Sequence, residues 1–259
     1  MGDVRAAVRN ARERFSGASP ETLLRWGADT FSGRVAISCS FGGPGGIVLI
    51  HMAHRLGLSI PVLFIDTGYL FPETYRLKEE VERAFSLPVR TVAPRLSPEE
   101  QAEQYGPRLW ERDPDLCCSL RKVEPMAKAL EGLDCWITSL RRDQSPTRAS
   151  VEPVELHRLG SGREIVKLNP LAYWTRKDVW RYAAEHRLPY NPLLDQGYSS
   201  LGCVQCTARA GDGGERAGRW PGRAKTECGL HTFTERAGSR GSPGPVELGG
   251  SASRAGPPS

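Results

Sequence analysis

Apolar positions recur at helical spacing at the start of the chain. Val4, Ala7, Val8, Ala11 and Phe15 fall on one stripe, so residues 1–30 are expected to be largely helical. Ser19-Pro20-Glu21 opens a second helix, with Ser19 as its cap and Pro20 in its first turn, running to about Trp26. The period then changes. Residues 34–39 read as a buried strand, 40–46 as a tight glycine-rich turn, and 47–56 as an apolar helix. A second strand over 60–65 ends in Asp66-Thr67-Gly68, and a helix follows from Pro72 to about Phe85. Short strands are expected at 89–92, 135–139 and 164–168, with a helix over 121–131 between the first two. Thr175 and Asp178 form a capping box ahead of Val179, Trp180, Ala183 and Ala184. Strand and helix alternate, which predicts an α/β fold: a twisted parallel sheet with helices on both faces. Residues 188–227 lack apolar periodicity and are rich in Gly, Arg and Cys, so they read as loop pinned by something other than a core. From Gly238 onward the chain is Gly/Ser/Pro-rich and is expected to be a disordered tail.

Composition narrows the function classes. A chain of 259 residues with 39% hydrophobic and 25% charged positions suits one soluble domain with an appendage. Its apolar runs are strand-length, which argues against a membrane partner, and the charged start is no secretory signal, so a cytoplasmic location is expected. A net charge of +5 permits an anionic ligand, but no basic tract with interleaved aromatics points to nucleic acid. Seven cysteines make a disulfide scaffold a poor fit and favour metal or redox chemistry.

Three groups of residues carry the candidate chemistry. The first is the glycine turn, with Ser38, Ser40, Phe41 and Gly42, where a strand feeds a helix. It can present backbone amides to an anion, or it can need glycine only for its turn. It is neither a GxGxxG fingerprint nor a P-loop. Asp66-Thr67-Gly68 lies at the carboxyl end of the next strand, where ligands of open sheets bind. The second is the pair Cys117-Cys118 with Cys203-x-x-Cys206, which could build a sulfur site for zinc or an iron–sulfur cluster, with Arg121 and Lys122 beside it. The bland alternative is two buried core cysteines plus a surface pair. The third is Cys228, a nucleophile or an incidental thiol, in a region supplied with Arg141, Arg142, Arg216 and Arg219. Cys39 and Cys135 sit inside strand patterns and read as core; His51 and His54 read as core or surface rather than ligands.

Taken together, Ser40-Phe-Gly42, Phe64-Ile-Asp66-Thr-Gly68, Cys117-Cys118 with Arg121-Lys122-Val-Glu-Pro125, Leu140-Arg-Arg-Asp-Gln-Ser145, Cys203-x-x-Cys206, Glu215-Arg-Ala-Gly-Arg-Trp220 and Glu227-Cys-Gly-Leu-His231 form a specific set. Over roughly residues 30–235 the chain resembles the assimilatory sulfonucleotide reductases, specifically the iron–sulfur, thioredoxin-dependent adenylyl-sulfate reductases. The resemblance implies an adenine-nucleotide alpha-hydrolase-like sheet with a flexible C-terminal segment. It implies one 4Fe-4S cluster on Cys117, Cys118, Cys203 and Cys206, and Cys228 as the nucleophile toward adenosine 5'-phosphosulfate. It also implies a substrate pocket drawing on Ser38, Ser40, Phe41, Gly42, Asp66, Lys122, Arg142, Arg216, Arg219 and His231. Thioredoxin is the implied reducing partner, and a homo-oligomer is compatible with the pattern. The implied layout is a helical segment over 1–30, a nucleotide- and cluster-binding domain over 31–208, a mobile catalytic segment over 209–235 and a tail over 236–259. One departure stands out: Pro44-Gly45 occupy positions where relatives commonly carry Glu-Asp. The rival readings are a 3'-phosphoadenylyl-sulfate reductase, an ATP-pyrophosphatase-type enzyme, and a zinc-stabilised nucleotide-binding module with no catalysis.

Overall fold

The computed structural model describes residues 4–15, 17–210 and 214–236; the expected tail lies outside the described residues except for Arg236. Two helices, α1 (Val4–Arg14) and α2 (Pro20–Thr30), precede the sheet, and the Ser19 hydroxyl caps α2 by accepting from the Thr22 amide at 3.3 Å. The sheet then builds outward from β1 (Val35–Ser38), which pairs in parallel with β2 (Val62–Ile65) and with β4 (Cys135–Ile137). Beyond β2 lies β3 (Val89–Val92), and beyond β4 lies β6 (Glu164–Leu168), both again parallel. Val35, Ala36 and Ile37 are buried on both faces, which is why this run reads as continuously apolar instead of alternating.

The sheet is not wholly parallel, and here the sequence expectation needs correction. β5 (Val154–Arg158) runs antiparallel to β6, and β7 (Glu235–Arg236) adds antiparallel to β5, giving the order β3-β2-β1-β4-β6-β5-β7. β5 escapes a hydrophobic reading because it carries Glu155 and His157. Both are buried and paired to each other at 2.9 Å, so the strand has a polar interior face.

The connecting helices are α3 (Pro44–Arg55), α4 (Pro72–Phe85), α5 (Pro98–Tyr105), α6 (Leu109–Arg112), α7 (Pro114–Cys118), α8 (Glu124–Leu130) and α9 (Arg176–Glu185). α9 opens with the expected capping box: Thr175 Oγ1 accepts from the Asp178 amide, and the Asp178 carboxylate accepts from the Thr175 amide. The helix expected over 121–131 is present, but its first residues are wound as a π helix. α7 passes into a five-residue π turn, Ser119–Val123, before α8 begins. Pro125 cannot donate to the carbonyl four residues back, and widening the turn there relieves the clash. Cys39 and Cys135 lie in the core as expected. His51 donates to or accepts from Tyr182 Oη at 3.0 Å, between α3 and α9. Among the described residues, no helix is long and apolar enough to cross a membrane.

Strand order reverses at β1: β2 follows on one side and β4 on the other. The loops leaving β1 and β4 therefore diverge at the carboxyl edge, and a crevice opens between them.

Candidate active site

The crevice is a cleft of about 190 Å³. Its floor is the turn between β1 and α3. Phe41 takes a left-handed backbone (φ 50°) and drives its ring into the core, edge-on to Phe64 with centroids 5.5 Å apart. A bulky residue rarely adopts that backbone, so the core packing must hold it there. Gly42 to Gly46 are thereby turned toward the cleft, which they line together with Ser40. Gly43 is the N-cap of α3 and offers no side chain to the first amides. Pro44 takes the first helical position, where no amide hydrogen is needed, so the Pro44-Gly45 departure keeps the helix N-terminus intact.

Gly42 has a second duty. A Cβ there would meet the Leu201 carbonyl oxygen at 2.7 Å. Gly42→Ala is expected to push the 199–203 loop off the turn and to destabilise the protein by about 1–3 kcal/mol. A lowered urea midpoint at unchanged slope is the measurement; an unchanged midpoint contradicts it.

That loop leads into the cysteines. Val204 N donates to Tyr69 O at 2.8 Å, and the Thr67 hydroxyl lies 3.4 Å from Cys203 Sγ. The Asp66-Thr67-Gly68 turn therefore carries the second cysteine pair. Asp66 itself does not line the cleft; it accepts from the Gly68 amide at 2.9 Å and from Tyr75 Oη at 2.6 Å, bracing the turn. Buried Arg121 reaches the same turn from the π segment and donates to the Thr67 carbonyl.

Cys118, Cys203 and Cys206 pack in one cluster with Trp220, and Cys228 lies at its edge. Cys117 lies within electrostatic range of Cys203 and Cys206. Two segments far apart in sequence thus bring all four predicted cysteines together. Burial pushes the free thiols of Cys117 and Cys118 up, to about 11 and about 12, so unligated they are neutral. Among the described residues, no three His, Cys, Asp or Glu converge tightly enough to chelate a single ion. The donor set is all sulfur, which suits soft metals.

Cys228 lines the cleft near Lys122, Arg216 and Arg219. Burial acts to raise its thiol pKa; Lys122, the Leu230 amide, Arg219 and Arg216 outweigh burial and bring it below the ordinary value. Lys122 is buried, and its charge acts on Cys203, Cys228 and Cys118 alike. Arg216 Nε, Arg219 Nε, Ser200 Oγ and His231 Nδ1 are buried without a hydrogen-bond partner. All four residues line the cleft, and unpartnered donors there are an invitation to an anion. His231 stacks on Trp136 with ring centroids 5.4 Å apart. Burial first, then Lys167, Arg148 and Arg216, hold its imidazole well below the usual value and so keep it neutral.

Other expected positions fall elsewhere. Arg142 turns away from the cleft, pairing with Glu152 at 2.7 Å and lying over the Tyr173 ring. Its neighbour Arg141 lines the cleft instead and is paired with Glu215 and Asp143. Ser38 lies outside the cleft lining and accepts from Trp136 Nε1 at 2.8 Å. Gln144 and Arg148 were not assigned a role but line the cleft; Gln144 lies within the Leu140–Ser145 motif and Arg148 three residues beyond it. The Cys228 segment, expected to be mobile, is docked here. Thr234 meets His157 at 2.7 Å, and Glu235–Arg236 joins the sheet.

The comparisons with known proteins agree with this geometry. The model of the phosphoadenosine phosphosulfate reductase domain matches residues 34–209. An adenosine 5'-phosphosulfate reductase of Salinibacter ruber is 46% identical over 233 residues, covering 89% of this chain and 90% of the relative. One from Halalkalibacterium halodurans is 48% identical over 212 residues, covering 81% and 90%. Among solved structures, the phosphate complex of a phosphoadenylyl-sulfate reductase from Candida auris superposes with a TM-score of 0.70 at 32% identity, covering 80% of this chain and 99% of that one. Since the matched region spans the whole cleft floor and both cysteine pairs, the chain belongs to the phosphoadenosine phosphosulfate reductase family.

Proposed function

We propose that the protein reduces adenosine 5'-phosphosulfate to sulfite and AMP, using reduced thioredoxin, as a step of sulfate assimilation. The observation that carries this reading is a thiol of lowered pKa, Cys228, in the wall of a cleft that also presents Lys122, Arg216 and Arg219. Adenosine 5'-phosphosulfate is the substrate named for the two bacterial relatives.

The chemistry follows from the placement. Ser40, Gly42 and the amides of the α3 N-terminus receive the nucleotide, and Arg216 and Arg219 hold the phosphosulfate oxygens. The Cys228 thiolate attacks the sulfate sulfur in line. The bond from sulfur to the phosphate oxygen breaks, AMP leaves with that electron pair, and the sulfonate stays on Cys228. Lys122 and the guanidinium groups stabilise the departing negative charge, and neutral His231 hydrogen-bonds to substrate oxygen. A thioredoxin thiolate then attacks Cys228 Sγ and sulfite leaves with the sulfur–sulfur electron pair. The second thioredoxin thiol resolves the mixed disulfide, so both electrons come from the dithiol.

Cys117, Cys118, Cys203 and Cys206 fit a 4Fe-4S cluster, because four buried thiols from two distant segments give an all-sulfur donor set. When bound, such a cluster supplies a fixed charge near Lys122 and staples the 199–220 loops to α7. In this reading residues 31–208 form the nucleotide- and cluster-binding domain and 209–235 the catalytic segment. A cytoplasmic location keeps the seven free thiols reduced.

The decisive experiment mixes anaerobically purified protein with adenosine 5'-phosphosulfate and no thioredoxin. A gain of about 80 Da, one sulfonate, is expected on the Cys228 peptide. An unmodified peptide overturns the mechanism. The lowered pKa gives a second expectation. The thiolate is the reactive form, so alkylation of Cys228 by iodoacetamide should reach half its limiting rate at a lower pH than for a free cysteine measured alongside. Arg219→Gln should move that midpoint upward. A wild-type midpoint at or above the free-cysteine value refutes it.

A further inference from the structure

Glu227 precedes the nucleophile and does not itself line the cleft. Its carboxylate is nevertheless the most heavily bonded group of the segment. Arg148 grips it with a fork, Nε to Oε1 at 3.0 Å and Nη2 to Oε2 at 2.9 Å. The Thr147 hydroxyl donates to Oε1 at 3.0 Å, and Arg216 Nη2 donates to Oε2 at 3.2 Å. Oε1 is thus held by Thr147 and Arg148, which follow β4, and Oε2 by Arg148 and Arg216.

We infer that Glu227 is a positioning residue: its carboxylate, clamped by Arg148 and Thr147, seats Cys228 for attack without contacting substrate. This rests on Cys228 being the nucleophile. A fork between a carboxylate and a guanidinium fixes both distance and plane, so it locates the adjoining residue better than a lone contact does. The pair is largely buried, with side-chain exposures of 11% and 14%, so solvent screens it little. The neighbouring contacts leave the next residue with little freedom. Gly229 adopts φ 83°, and Lys225 pairs with Asp115 on α7. Glu227 does not compete with substrate for Arg216, since Arg216 Nε and Arg219 Nε stay free for an anion while the clamp is closed.

The test separates seating from binding. The full-length, cluster-bearing protein is purified anaerobically as wild type, Glu227→Gln and Thr147→Val. Two quantities are measured: AMP affinity, and the single-turnover rate of Cys228 sulfonation by adenosine 5'-phosphosulfate at saturation. Glu227→Gln should lower the rate by roughly 100-fold, as for a displaced reacting group. Thr147→Val, which leaves the cleft charge untouched, should lower it by about fivefold, the loss of one hydrogen bond. AMP affinity should stay within about twofold in both, which also shows that the cleft is folded. A double-mutant cycle of Glu227→Gln with Arg148→Gln should be strongly non-additive in the same rate. An unchanged rate in Glu227→Gln overturns the inference. So does AMP binding that tightens or weakens in step with the rate, since Glu227 would then act at the ligand site. If the wild type itself takes up no sulfonate, it is the underlying reading of Cys228 that fails.

Discussion

Cys228→Ser is expected to abolish sulfite formation while AMP still binds. Serine keeps the size and position of the thiol but not its acidity. The cations that lower the Cys228 pKa leave a hydroxyl far from ionised at neutral pH. His231 is a poor base for that ionisation, because burial, Lys167, Arg148 and Arg216 hold its imidazole well below the usual value, and the Glu215 carboxylate of the cleft is paired with Arg141. The loss should be on the order of 10⁴-fold or more, down to the chemical background. The groups proposed to receive the nucleotide, Ser40 and Gly42 to Gly46, are untouched, so AMP affinity should change by less than about twofold. Sulfite release and the mass of the residue 228 peptide are the two readouts. Normal turnover in the variant would remove the covalent intermediate from the mechanism.

The second large effect concerns the four cysteines. If the four cysteines hold the proposed cluster, Cys203→Ser is expected to remove the iron and the visible absorbance together. Cys203 is buried, beside the Thr67 hydroxyl, and its loop docks onto residues 67–70, which follow β2. Losing the metal frees residues 199–220 from α7 and should lower stability by on the order of 3 kcal/mol. In iron-free protein the same substitution should cost less than about 1 kcal/mol, because serine nearly matches the thiol in volume. Iron and sulfide analysis with urea unfolding of the holo and apo forms checks both parts. A colourless, zinc-bound wild type with full stability would instead favour a structural zinc site.

The two cysteine pairs and Cys228 were legible in the sequence because their residue types are scarce and their spacing distinctive. The glycine turn was legible as a strand-to-helix junction, yet the sequence could not separate the roles of its members. Phe41 proves to be an inward strut against Phe64, while the glycines beside it line the cleft. Arg141 and Arg142 are equivalent on paper. The short helical turn that begins at Arg142 sends adjacent side chains apart, so only Arg141 reaches the cleft. Arg148 and Glu227 could not be paired from the sequence, since 78 residues separate them and neither lies in a pattern that points to the other. The β5 strand was hidden for a different reason. It is buried on both faces, Val154 and Leu156 on one and the paired Glu155 and His157 on the other, so neither apolar alternation nor a continuous apolar run marks it.

The sequence by itself determined the elements and the reagents. Alternating strand and helix patterns, one glycine turn, four cysteines in two pairs and a fifth in a Gly/Arg-rich stretch are all local features, set by side-chain chemistry and short-range backbone preference. The tertiary structure alone decided which of these meet. The order reversal at β1 opens the cleft, the Asp66–Gly68 turn draws Cys203 and Cys206 to α7, and the docked C-terminal segment sets Cys228 among the cations. Proximity between distant segments depends on how whole elements bury their surfaces against one another, and no window of sequence contains both partners.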